Sequence, residues 1–128
     1  MPPLIMLVDD FQDALEMYAE YLEFKGYRVI AATGGHAAIE AVSRETPALI
    51  FMDLRMPDMT GAETLHLLRT NAALHEVPVI AFTAHAFVDE RNSALLEGFD
   101  EVIAKPCLPQ DLAAAIERLL EHGRDART

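Results

Sequence analysis

At 128 residues the chain is long enough for one compact domain with a buried core, and an apolar fraction of 52% excludes an unfolded polar polymer. Its formal net charge is -11, with ten Lys and Arg scattered among 21 acids, which argues against direct binding to DNA or RNA. The single cysteine, Cys107, rules out an internal disulfide framework. The apolar runs are too short to span a membrane, and the N-terminus lacks the basic start and cleavage site of a signal peptide, so a cytoplasmic protein is expected.

The run Leu4-Ile-Met-Leu-Val8 ends in Asp9-Asp10 and is predicted to be a buried strand with two acids at its carboxyl end. Gln12 to Lys25 has helical periodicity, with Ala14, Met17, Tyr18, Tyr21 and Leu22 on one face and Gly26 as the closing cap. Tyr27 to Ala32 is expected to form a more exposed strand, followed by a turn at Thr33-Gly-Gly35 and a helix from His36 to Glu45 that stops before Pro47. Ala48-Leu-Ile-Phe-Met52 then runs straight into Asp53, with Pro57 and Gly61 close behind. Such an unbroken run suits a strand buried on both faces of a parallel sheet. A helix is expected from about Gly61 to Asn71, a strand from Val79 to Thr83, a loop from Ala84 to Asp89, and a short helix from Glu90 to Leu96 closed by Gly98. The last strand, Glu101 to Ala104, ends at Lys105-Pro106. The last helix, Leu108 to His122, has Pro109 in its first turn and Leu112, Ala115, Ile116 and Leu119 on its buried stripe. Gly123 to Thr128 is a polar tail.

Strand and helix thus alternate five times. Short connections and right-handed crossovers make this a doubly wound α/β domain over residues 1–122, flavodoxin-like, with a five-stranded parallel sheet in the order 2-1-3-4-5. In that order the first and third strands lie roughly 4.8 Å apart. Asp9, Asp10 and Asp53 then converge at one edge, joined by Thr83 and Lys105. Each alone has an ordinary reading: Asp9 or Asp10 as a helix cap, Thr83 as a strand residue, Lys105 as a surface charge. Together, three mutually repelling carboxylates call for a hard divalent cation such as Mg²⁺. A cation, an ammonium and a hydroxyl around one carboxylate form a phosphoryl site, with Asp53 as the nucleophile.

At these residues the sequence resembles the receiver domain of two-component response regulators. The matching features are Val8-Asp9-Asp10, Met52-Asp53-Leu-Arg-Met56-Pro57, Gly61, Thr83-Ala84 and Lys105-Pro106. The resemblance implies that Asp53 is phosphorylated by a sensor histidine kinase or a histidine phosphotransfer protein. It implies Mg²⁺ or Mn²⁺ held by Asp10, Asp53 and the backbone carbonyl of Arg55, with Asp9 acting mostly through water. It implies that Thr83 and Lys105 contact the phosphoryl oxygens and that Lys105-Pro106 is a cis peptide. Kinase docking on the first helix also follows from the resemblance. So does output to an unnamed partner, or a homodimer, through the fourth helix, fifth strand and fifth helix.

Two features depart from the family pattern or vary within it. Val102 stands where many receivers carry an aromatic switch residue and has no large ring to swing, so simple packing is expected there. The resemblance implies that Arg55 and His85 flank the path of hydrolytic water, and with Ala84 they are expected to tune phosphoryl lifetime in a direction the sequence does not give, with two solvated side chains as the alternative. His36, His66, His75 and His122 are dispersed and suggest no metal cluster. Cys107 is read as a packed small hydrophobe. A phosphatase of the haloacid dehalogenase kind would want an acid where Arg55 stands. A flavin or nucleotide carrier would want a Gly- or Ser-rich loop where Asp9-Asp10-Phe11 stands. A receiver-like scaffold without phosphorylation, and a piece of a larger regulator or hybrid kinase, remain alternatives to a stand-alone receiver, which Met1 favours.

Overall fold

Side chains along each strand point alternately to opposite faces of the sheet, and in this protein both faces are filled. The computed structural model describes residues 2–122. β1 (Leu4–Val8), β3 (Leu49–Met52) and β4 (Val79–Thr83) are buried along their whole length. β2 (Arg28–Ala32) and β5 (Glu101–Ala104) are partly exposed. All pairings are parallel and the order is β2-β1-β3-β4-β5, so the most apolar strands are central, as expected from the sequence.

Among the described residues five α-helices cover the two faces: α1 (Gln12–Phe24), α2 (Gly35–Arg44), α3 (Gly61–Leu68), α4 (Val88–Glu97) and α5 (Pro109–His122). Ile5, Leu7, Leu49, Phe51, Ile80 and Phe82 face α1 and α5, meeting Leu15, Leu22, Leu112 and Ile116. Met6, Val8, Ile50, Met52, Val79 and Ala81 face the other way, toward Ala38, Val42, Leu65, Leu68 and Ala94. One apolar face thus forms on each side of the sheet. Among the described residues no helix is long and apolar enough to cross a membrane. The polar tail expected at Gly123 to Thr128 lies outside the described residues.

Several expected boundaries shift, each for a local reason. Met17 is 47% exposed, and Leu15 takes its place on the buried stripe with Tyr18 and Leu22, at spacings of three and four residues. α1 ends at Phe24 because Gly26, at φ +100°, lets its own amide reach the Glu23 carbonyl and the Tyr27 amide reach the Leu22 carbonyl. α2 begins one residue early, at Gly35, and ends at Arg44, with Glu45 already extended. α3 stops at Leu68 rather than Asn71. The Asn71 side chain instead accepts from the Ala73 amide at 3.0 Å and starts a separate 3-10 turn, Ala72–Leu74. α4 is longer than expected at both ends. Phe87 precedes it with no side-chain cap, so the usual start signal is missing from the sequence. β2 starts at Arg28 and α5 at Pro109, one residue later than expected in each case.

Candidate functional site

Parallel strands place all their carboxyl ends on one edge of the sheet. Val8 and Met52 are register partners, and the Asp53 amide donates to the Val8 carbonyl at 2.9 Å, so the acids after β1 and β3 stand side by side. The Asp9 amide continues the β1–β2 ladder to the Ala32 carbonyl at 3.0 Å. Thr83 pairs with Ala104, and the Lys105 amide donates to the Thr83 carbonyl at 2.8 Å, which brings the end of β5 to the same edge.

Carboxylate oxygens from Asp9, Asp10 and Asp53 lie within 4.8 Å of one another. Asp9 and Asp53 are buried and Asp10 is exposed, so the cluster is walled on one side and open on the other. Asp9 Oδ1 accepts from the Phe11 amide at 2.9 Å, and Asp53 Oδ1 accepts from the Arg55 amide at 3.3 Å. The Lys105 ammonium pairs with Asp9 Oδ2 and lies 3.3 Å from Asp53 Oδ2. It also sits 4.7 Å from the centroid of the Phe82 ring. Three carboxylates against one ammonium leave an excess of negative charge. That oxygen-rich donor set, part buried and part open, fits a hard divalent cation that keeps some of its waters.

The remaining expected site residues divide into those that join this cluster and those that border it. Thr83 is fully buried, and its hydroxyl accepts from the His85 amide at 3.1 Å. The side chains of Arg55 and His85 are exposed, as is Ala84. Val102 is 6% exposed, opposite Ala81 in the sheet and packed in the core on the α4 side. Lys105-Pro106 is cis.

Burial is the largest influence on Asp53 and pushes its carboxyl above the ordinary aspartate range. The Lys105 ammonium and the Arg55 amide oppose this, and Asp9 adds to it. With the folded-state value raised, folding favours the protonated form. That stabilisation is complete below the ordinary aspartate value and is lost as the pH rises through the raised one. At neutral pH without a divalent cation the ionised Asp53 therefore costs stability. Asp53→Asn is expected to melt several degrees above the wild type at pH 7, with the gain shrinking as the pH falls to about 4. Thermal melts of both proteins at the two pH values check this, and equal midpoints at pH 7 contradict it.

Two supporting arrangements had no clear signal in the sequence. Under Lys105, Phe82 packs edge-on against Tyr18 (5.2 Å between centroids) and Phe51 (6.4 Å), forming an aromatic floor. The Tyr18 hydroxyl donates to the Cys107 carbonyl at 3.0 Å, and burial pushes its pKa up to about 12, so it stays a donor. Burial likewise pushes the Cys107 thiol up, consistent with a packed side chain. The second arrangement is Asp58. It leaves the loop after β3 to accept from the Gly35 and His36 amides at the start of α2.

The same fold and sequence pattern occur in known proteins. The chain is 35% identical over 117 residues to the sensor protein GacS of Pseudomonas syringae pv. syringae, covering 89% of this chain and 13% of that protein. It is 32% identical over 120 residues to the probable transcriptional regulatory protein TcrX of Mycobacterium tuberculosis, covering 93% of this chain. The chain spans half the length of TcrX and a smaller part of GacS. A CheY-like response regulator receiver domain protein from Methanospirillum hungatei superposes with a TM-score of 0.87 at 28% identity, over 98% of each chain. The family model described as the response regulator receiver domain matches residues 5–117. That span holds the five strands but for Leu4, with the three acids, Thr83 and Lys105, and the chain belongs to the response regulator receiver domain family of two-component phosphorelay signalling.

Proposed function

We propose that Asp53 is the phosphoacceptor, taking its phosphoryl group from the phosphohistidine of a sensor histidine kinase or a histidine phosphotransfer protein. The observation that carries this is a carboxylate on the open edge of the sheet, clustered with two others and 3.3 Å from an ammonium. In the transfer an Asp53 oxygen bonds to phosphorus and the P–N bond to the imidazole breaks, leaving an acyl phosphate. In hydrolysis water attacks phosphorus, the bond from phosphorus to Asp53 breaks, and the carboxylate and inorganic phosphate return.

Receiver domains of this family generally bind Mg²⁺ at an acidic pocket, and the donor set of Asp9, Asp10 and Asp53 agrees with that. Asp10, Asp53 and the Arg55 carbonyl would hold Mg²⁺ or Mn²⁺, with Asp9 acting through water. The bound cation supplies neutralisation of charge on the phosphoryl oxygens. Lys105, already aimed between Asp9 and Asp53, would exchange part of that contact for a phosphoryl oxygen. The Thr83 hydroxyl accepts from the His85 amide and keeps its own proton for donation. Turning Thr83 toward a phosphoryl oxygen would release the His85 amide and so pass the change to residues 84–87. Val102 has no ring to carry such a signal. The test is incubation with acetyl phosphate. One phosphoryl group per chain is expected with Mg²⁺ and none with a chelator; incorporation unaffected by chelation would contradict the reading.

Arg55 and His85 stand exposed beside the site, next to Ala84, and we assign them the tuning of phosphoryl lifetime. Replacing both with Ala is expected to change the rate of dephosphorylation several-fold in one direction or the other, read as loss of the phosphorylated mass with time. An unchanged rate would remove them from this role.

Docking of the donor fits the surface beside the acids. There Phe11, Ala14 and Met17 face Ala84 and Pro106 across an open, mainly apolar groove that Lys105 also lines. Output through α4, β5 and α5, to a partner protein or a second copy, fits the exposed Leu95 and Leu96 on α4. The receiver is assigned to residues 1–122, with a polar tail at 123–128. A cytoplasmic site of action agrees with the free thiol of Cys107.

A further inference from the structure

α2 lacks the cap that a helix start usually has. Its N-cap is Gly34, which has no side chain to accept from the first free amides. Those amides are satisfied from elsewhere. Asp58 Oδ1 accepts from Gly35 N at 3.2 Å, and Oδ2 accepts from His36 N at 3.0 Å. Oδ1 also accepts from Met59 N at 2.9 Å, which fixes the carboxylate within its own loop. A Cβ built on Gly34 would lie 2.8 Å from Asp58 Oδ1. The carboxylate therefore occupies the space that a capping side chain at position 34 would fill. The amides hold the Asp58 carboxyl below the ordinary range, with His36 the largest cause, and the positive end of α2 favours the same charge.

The loop so fixed runs from Asp53 to the start of α3. Its far end is closed by a capping box, with Glu63 N donating to Thr60 Oγ1 at 3.1 Å and Thr60 N donating to Glu63 Oε1 at 3.0 Å. Its near end is held by the Arg55 amide on Asp53. Between them Met56 is buried, while Arg55 and Pro57 are exposed. Asp58 ties this stretch to the first turn of α2 by hydrogen bonds, beside Met59, which lies against Gly35, and Met56, which packs in the core.

Resting on the phosphoacceptor reading above, we infer that Asp58 is a positioning residue for that site. It clamps the loop carrying the Arg55 carbonyl onto the first turn of α2 and so holds that carbonyl ready for the divalent cation. The clamp acts through the loop backbone and does not touch the phosphoryl group.

Mg²⁺ titration calorimetry without a phosphodonor, together with thermal melts, tests this on four proteins: wild type, Asp58→Ala, Asp58→Asn, and Asp58→Ala combined with Gly34→Asp. Asp58→Ala is expected to weaken Mg²⁺ binding about tenfold, the low end for a residue acting behind a metal ligand, and to lower the melting midpoint. Asp58→Asn keeps an acceptor oxygen and falls between. The double variant gives α2 a cap of its own in the space Asp58 vacates. Its melting midpoint returns toward the wild type while Mg²⁺ binding stays weak, because the loop is still untied. Wild-type Mg²⁺ affinity in Asp58→Ala would overturn the inference. So would a double variant that recovers both properties, since Asp58 would then be a helix cap and nothing more. A wild type that neither binds Mg²⁺ nor takes a phosphoryl group would overturn the proposed function itself, and this inference with it.

Discussion

Lys105→Ala is expected to slow phosphorylation by acetyl phosphate about a hundredfold, the usual cost of removing one preorganised donor from a charge-developing site. The Lys105 ammonium faces both Asp9 and Asp53, and its side chain is mostly buried over Phe82. Without it two buried carboxylates stand together, beside the exposed Asp10, with no cation between them. The expected fall in thermal stability follows from the unpaired buried charge, and Mg²⁺ should recover much of it. Phosphorylation should not recover, since Mg²⁺ cannot also stand where the ammonium meets the phosphoryl oxygens. Lys105→Arg separates charge from shape. It keeps the charge in a planar fork that suits the pocket less well, and is expected to fall between Ala and the wild type. Quenched time courses of phosphoryl incorporation check the series. A wild-type rate in Lys105→Ala would show that the ammonium serves only the apo protein.

Gly61→Ala is the second large effect, and it comes from space rather than charge. The Gly61 amide donates to the Leu54 carbonyl at 3.0 Å, turning the chain so that α3 starts directly against the end of β3. A Cβ on Gly61 would lie 2.5 Å from the Asp53 carbonyl oxygen and 2.9 Å from Leu54 Cα. Both are backbone atoms and neither can swing aside. The helix start or the end of β3 must move, and Asp53 moves with it. A loss of about 2–3 kcal/mol is expected, at the upper end of overpacking, together with slower phosphorylation. Gly26→Ala is the control. It meets nothing within 4 Å but sits at φ +100°, so it should cost about 1 kcal/mol through the backbone alone and leave phosphorylation unchanged. Denaturant unfolding and the acetyl phosphate assay measure both variants. A Gly61→Ala protein as stable as the wild type would mean that the turn is looser than its geometry implies.

The residues of the site were legible in the sequence because each lies where the apolar run of a strand stops. Val8, Met52, Thr83 and Ala104 end their strands where the pattern changes, and the parallel topology alone brings Asp9, Asp53, Thr83 and Lys105 to one edge. The sheet order was legible for a similar reason, since the exposed pattern of β2 marks it as an edge. What could not be read depends on contacts between distant parts of the chain. Asp58 caps a helix that begins 23 residues earlier in the sequence. The only trace of this is Gly34-Gly35 standing where a helix start usually has a side chain that accepts hydrogen bonds. Phe82 looked like one more strand residue, and its place beneath Lys105 follows from the path of β5. Met17 shows the limit of periodicity on α1. Its spacing puts it on the buried stripe, yet the stripe that meets the sheet is set by Leu15, Tyr18 and Leu22, and Met17 lines instead the groove beside Pro106.

The most direct test of the central claim is the intact mass of the wild type and Asp53→Asn after incubation with acetyl phosphate and Mg²⁺. The account predicts a gain of one phosphoryl group in the wild type and none in the variant, with Asp9 and Asp10 unmodified in both. An adduct that persists in Asp53→Asn would place the acceptor on another residue, and no adduct on the rapidly quenched wild type would leave the fold without the phosphoryl chemistry assigned to it.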